Sequence, residues 1–217
     1  KINKEWYGLF SNFSTFINHL VPRPNRCYAK PFSVEIEKNL KIITVGFPPN
    51  DFILKYFVAE LNKLAIPVDF LSDSTYEQLS TILEFKKKAI EFPIEHQREG
   101  YSISINENGI SIQAPSRQGM FYAIQTFLQV IHQLGSNKNA ANLKFPALEI
   151  YDYPLFSMRG VAEDTSRGQC PTVESAKRYI DILAQYKMNT YAIGYEGDNF
   201  YSKKHPSIGN QVAQFIP

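Results

Sequence analysis

The sharpest pattern in the chain lies near its middle. Tyr101, Ile103 and Ile105, then Ile110, Ile112 and Ala114, alternate with polar residues on either side of Asn106-Glu107-Asn108-Gly109. A period of two marks a half-buried strand, and an Asn-Gly turn between two such runs closes a hairpin. Residues 101–105 and 110–114 are therefore expected to pair. The period then becomes helical: from Pro115-Ser116 onward Phe121, Ile124, Phe127, Leu128, Ile131 and Leu134 share one face, and Gly135 supplies a stop.

Upstream, Trp6, Leu9, Phe10, Phe13, Phe16, Ile17 and Leu20 recur at helical spacing until Val21-Pro22-Arg23-Pro24 breaks the pattern. Strands are expected at 32–36 and 41–45, with a turn at Lys38-Asn39. A helix capped by Asn50 or Asp51 should run to about Leu64, burying Ile53, Phe57, Leu61 and Leu64. A strand at 68–71, a weaker helix from Asp73 to about Leu83 and a strand at 89–94 follow. Beyond the long helix come a polar loop at 136–142 and a strand at 145–150.

Tyr151-Asp152-Tyr153-Pro154 reads as a domain boundary, because the pattern changes there. A strand over 156–163, a helix capped by Thr172 over about 173–187 and a strand over 190–195 make one β-α-β unit, the repeating piece of parallel α/β folds. Ala176, Tyr179, Ile180, Leu183 and Tyr186 form the apolar face of its helix. Three segments are expected: helical residues 1–20, an α+β domain at 21–152 with helices on one face of a sheet, and the β-α-β portion at 153–217.

Composition narrows the function classes only a little. The net charge of +2 and a single compact basic run, Lys86-Lys87-Lys88, disfavour nucleic acid and membrane surfaces as partners. No apolar run approaches the roughly 20 residues of a membrane span. Cys27 and Cys170 are too far apart in sequence for a metal or redox motif; two separate thiols or one disulfide both fit. His132 falls within the long helical pattern and reads as a structural or surface residue rather than a ligand.

The candidate chemistry sits in Ser157-Met158-Arg159-Gly160-Val161-Ala162-Glu163-Asp164, an apolar strand with an arginine near its start and two carboxylates at its end. Ionised groups in a buried strand need a partner or a ligand. Alternation puts Arg159, Val161 and Glu163 on one face and Met158, Gly160 and Ala162 on the other. With small residues toward an outer helix, Arg159 and Glu163 are expected to face the interior of a parallel barrel. Active sites there lie at the C-terminal strand ends, where Glu163, Asp164, Glu196 and Asp198 fall. The alternative is an internal Arg159–Glu163 ion pair with no ligand.

Phe121-Tyr122-Ala123-Ile124-Gln125-Thr126, Arg159-Gly160, Asp164-Thr165-Ser166-Arg167 and Tyr186-Lys187-Met188-Asn189, in this order and spacing, resemble glycoside hydrolase family 20, the β-N-acetylhexosaminidases. The resemblance implies an α+β domain followed by the start of a (β/α)8 TIM barrel. It also implies removal of terminal N-acetylhexosamine from a glycan, with the substrate's acetamide as nucleophile and two carboxylates assisting. No metal or organic cofactor is implied. Arg159 matches a sugar-binding arginine and Asp198 the second aspartate of an Asp-Asp pair, with Glu196 beside it; these three are the expected substrate contacts. Gly197, Gly168, Asn199 and Glu163 depart from the family pattern, and Tyr191 to Asp198 also resembles family 84.

A barrel of this kind needs roughly 250 residues; the resemblance implies an adjacent catalytic Asp-Glu pair on its fourth strand, and no Asp-Glu dipeptide follows Tyr153. The catalytic residues are thus expected downstream, the rest of the barrel is an expected partner, and the 217 residues alone are expected to be inactive. A periplasmic or extracellular location is expected, although no signal peptide is visible at Lys1. The competing readings are a non-catalytic structural or carbohydrate-binding module and a piece of a family 84 enzyme.

Overall fold

The computed structural model describes residues 17–71, 82–93, 96–134, 141–164 and 171–194. Contacts divide the chain into two units that part between Ser157 and Met158. The helical pattern of the first 16 residues lies outside the described part, as do most of the weaker helix from Asp73, the Gly135 stop and Cys170.

The first unit is built on a seven-stranded mixed sheet, ordered β1-β7-β5-β6-β4-β2-β3. The strands are β1 (Arg26–Glu37), β2 (Leu40–Val45), β3 (Val68–Phe70), β4 (Ile82–Lys87), β5 (Tyr101–Asn106), β6 (Gly109–Ala114) and β7 (Asn142–Asp152). The expected hairpin is β5–β6, antiparallel and closed with Asn106 opposite Gly109. The turn requires glycine: Gly109 has φ +118°, and a Cβ there would meet the Ile82 carbonyl oxygen at 2.5 Å.

One expectation fails in this unit. The strand between the second helical pattern and the hairpin is β4, not 89–94, and Ile82 and Leu83 open it rather than ending a helix. Leu83 and Phe85 point into the core while Glu84 and Lys86 point out, so two lysines of the basic run belong to a strand. β4 lies between β2 and β6, parallel to both. No local hairpin announces such a strand, and its pairing is decided by residues far away in sequence.

Helix α1 (Phe52–Lys63) starts at Asp51, whose side chain accepts from the Ile53 amide. Helix α2 (Arg117–Gln133) starts at Ser116, whose hydroxyl accepts from the Gly119 amide. Both pack on the same core: Phe57 meets Phe85 edge-on and Phe127 at 6.0 Å, and Phe127 stacks on Phe145. α2 is buried around most of its circumference, since Met120, Tyr122, Gln125, Thr126 and Val130 join the expected apolar face. The opposite side of the sheet carries a polar ladder, in which the Ser104 hydroxyl donates to Glu149 and the Ser111 hydroxyl to Glu84. Cys27 is a free thiol, and burial pushes its pKa up to about 11.

In the second unit, β8 (Gly160–Asp164) and β9 (Thr190–Gly194) are parallel and joined through α3 (Val173–Gln185). This is the expected β-α-β unit, although β8 opens at Gly160, four residues later than expected.

Candidate functional site

Thr172 opens α3 by accepting from the Ser175 amide, at 3.1 Å. The helix closes with the Lys187 amide donating to the Ala184 carbonyl and the Met188 amide to the Leu183 carbonyl. This pair of bonds is the Schellman arrangement, which turns the residue after the cap into left-handed geometry. Lys187 occupies that position with φ +61°, and it is buried, only 7% exposed. The chain is thereby turned directly into β9.

β8 and β9 run in register, Gly160 beside Thr190 and Asp164 beside Gly194. Both C-termini therefore leave the sheet at the same end. Residues paired in register share a face, so Val161, Glu163 and Tyr191 lie on one side and Gly160, Ala162, Asp164 and Ala192 on the other. α3 packs on the first side. The Tyr191 and Tyr179 rings meet edge-on at 5.6 Å. Val161, Glu163 and Tyr191 also line, with Pro171, Ser175 and Ala176, an indentation of about 390 Å³.

This corrects the expected facing. Glu163 points to the helix side, and the Tyr191 hydroxyl donates to its Oε2. The face opposite α3 carries Gly160 and Ala162, with Asp164 exposed at its end. Small residues do not mark the helix side in this unit. Here the bulky Val161 and Tyr191 pack on the helix, and the small residues line the open face.

Arg159 immediately precedes β8 and so sits at its N-terminal end, about 16 Å along the strand from Asp164 at roughly 3.3 Å per residue. Its Nε donates to the Lys187 carbonyl at 2.9 Å, and its amide donates to the Asn189 Oδ1 at 2.9 Å. Its carbonyl accepts from the amides of Asn189, at 2.8 Å, and Thr190, at 3.0 Å. None of the ion pairs formed among the described residues joins Arg159 to Glu163.

Of the three expected contacts, then, Arg159 is placed at the end of the unit opposite Asp164. Glu196 and Asp198 lie outside the described residues, as do Arg167, Gly168, Gly197 and Asn199. In sequence, Glu196 and Asp198 follow Gly194, the last residue of β9. Sequence reasoning missed the work of Lys187 and Asn189. The run Tyr186-Lys187-Met188-Asn189 drew notice as a motif, but nothing in it announces a left-handed lysine.

Residues 18–153, more than half of the chain, match the family model described as glycosyl hydrolase family 20, domain 2. The beta-hexosaminidase of Porphyromonas gingivalis is 36% identical over 97 residues, 44% of this chain and 12% of that protein. The family 20 exo beta-N-acetylglucosaminidase of Vibrio harveyi, solved in complex with N-acetylglucosamine, superposes with a TM-score of 0.66 at 23% identity. That likeness covers 87% of this chain and 28% of the solved one. CpGH84B superposes with a TM-score of 0.61 at 22% identity, over 84% of this chain and 31% of its own. At such identities the two structures speak for the fold alone. The matched region is a minor part of each relative, and the family is set by the domain model: the chain belongs to glycosyl hydrolase family 20.

Proposed function

We propose that this chain is the front part of a β-N-acetylhexosaminidase that removes terminal N-acetylhexosamine from glycans. The observation that carries the reading is the order of parts: a family 20 domain 2 followed directly by a parallel β-α-β unit whose strands end together at Asp164 and Gly194. Such a unit is the opening of a (β/α)8 barrel, whose sites lie at the C-terminal strand ends. The sugar would then meet the Asp164 end, with Glu196 and Asp198 following β9 as contacts.

The chemistry is substrate-assisted and retaining. The acetamide oxygen attacks the anomeric carbon, one carboxylate orients the acetamide, and a second, held protonated, gives its proton to the leaving oxygen. No Asp-Glu pair follows Tyr153 in this sequence, so both carboxylates would come from the remainder of the barrel. A periplasmic or extracellular location belongs to the same reading and is checked by cell fractionation.

The test is release of nitrophenol from a nitrophenyl N-acetylglucosaminide. The protein containing the completed barrel is expected to release it, and the isolated 217 residues are not. Release by the isolated chain would refute the division of labour, and inactivity of the completed protein would refute the reading itself.

A further inference from the structure

We propose that Arg159 is a positioning residue at the far end of its strand: it locks the register of β8 against β9 and thereby keeps Asp164 on the open face. The inference rests on the proposed glycosidase reading only for its activity measurements.

Three polar groups of one residue converge on the short stretch that leads into β9. The Arg159 side chain holds the Lys187 carbonyl, its amide holds the Asn189 side chain, and its carbonyl holds the Asn189 and Thr190 amides. The guanidinium also lies where α3 ends, and a cation there complements the partial negative charge of the helix C-terminus. Gly160 completes the arrangement. A Cβ at that position would stand 1.9 Å from the Thr190 carbonyl oxygen, so any other residue would force the strands apart at the clamp.

Register matters because side chains alternate. A slip of one residue carries every side chain of a strand to the opposite face. In β8 it would put Glu163 and Val161 on the open side and Asp164 against α3. The strand is only five residues long and its pair β9 equally short. Its central residues Val161 and Ala162 carry little polar information to resist a slip. The bonds made by Arg159 at the opening of the strand supply it.

The experiment uses the full-length protein with three substitutions. Arg159→Ala is expected to lower the melting temperature by about 4 °C or more and kcat by roughly ten-fold, while KM for a nitrophenyl N-acetylglucosaminide stays within about two-fold. Arg159→Lys is expected to recover most of both losses. An ammonium can reach the Lys187 carbonyl, but it cannot bond two sugar hydroxyls as a planar fork does. Asn189→Ala, a milder lesion, is expected to change melting temperature and kcat in the same direction, again with KM preserved.

A melting temperature unchanged in Arg159→Ala, or KM raised about ten-fold in both arginine variants, would overturn the clamp and make Arg159 a sugar contact. Should Arg159→Ala fail to fold, an Asn189→Ala variant indistinguishable from wild type would overturn it equally. Should the wild-type protein hydrolyse nothing, the glycosidase reading fails while the melting temperatures still decide the clamp.

Discussion

Tyr101 shows how single side chains hold the first unit together at its boundary. It is fully buried, and its hydroxyl donates to the Asp152 Oδ2 at 2.6 Å, which leaves the Thr126 hydroxyl, also at 2.6 Å, as the donor to its oxygen. Asp152 Oδ1 in turn accepts from the Asn25 amide and side chain. One carboxylate thus joins the segment before β1, the start of β5, helix α2 and the last residue of β7. Burial, with the Asp152 charge beside it, holds the Tyr101 phenol well above its ordinary pKa. Removing the hydroxyl takes one hydrogen bond from a buried carboxylate and one from a buried threonine. Tyr101→Phe is therefore expected to cost about 1–3 kcal/mol, seen as a lower urea midpoint at constant slope. A midpoint equal to wild type would contradict this. The alternation at 101–105 marked Tyr101 as buried, but nothing local pointed to its partner 51 residues away. Arg159 and Glu163 teach the converse. Their spacing in sequence implied a shared face turned to a barrel interior, whereas packing turns Glu163 toward α3 and Arg159, at the opening of β8, bonds the Lys187 carbonyl.

At the scale of elements, the features readable in the sequence were those whose cause is local. The β5–β6 hairpin follows from its turn, and α1, α2 and α3 follow from Asp51, Ser116 and Thr172 as caps. β4 was misplaced because its pairing partners are distant, while residues 89–93 resemble a strand in composition but form none. Phe92 there stacks on Tyr151, at 4.7 Å, instead of pairing in the sheet. The left-handed residues that follow the helix ends were not foreseen either. α1 closes like α3: the Ala65 amide donates to the Asn62 carbonyl and the Ile66 amide to the Leu61 carbonyl, with Ala65 at φ +55°. Left-handed geometry costs an ordinary residue about 1–2 kcal/mol, a penalty glycine escapes. Glycine brings its own loss of about 0.5–1 kcal/mol from a more flexible unfolded chain. Ala65 is exposed and lies outside the core, so little packing is forfeited. Ala65→Gly is accordingly expected to stabilise the unit by about 0.5–1 kcal/mol, read as a rise in melting temperature. A fall would mean that chain entropy outweighs the strain.

For the molecule as a whole, the two units differ in how much apolar surface they bury. In the first, Leu40, Ile42, Phe57, Leu61, Phe85, Ile103, Ile105, Ile112, Phe127 and Phe145 are sealed from solvent in one continuous core. In the second, the expected apolar face of α3 is Ala176, Tyr179, Ile180, Leu183 and Tyr186, and only Leu183 is buried. Met158, Val173, Ile180, Ile182 and Ile193 all remain exposed. Burying a large aliphatic side chain contributes about 1.5–3 kcal/mol. Ordering each residue costs about 1–2 kcal/mol. Two strands and a helix with one sealed apolar side chain among the described residues fall far short of that cost, so the missing burial must come from outside those residues. In the proposed glycosidase, neighbouring strands and helices of the barrel would provide it. A fragment of residues 18–157 is thus expected to unfold in a single cooperative urea transition. A fragment of residues 158–217 is expected to show none, together with a circular dichroism spectrum lacking the helical signal of α3. A cooperative transition in the second fragment would mean that the β-α-β unit folds without the rest of a barrel, and the exposed face of α3 would then need another explanation.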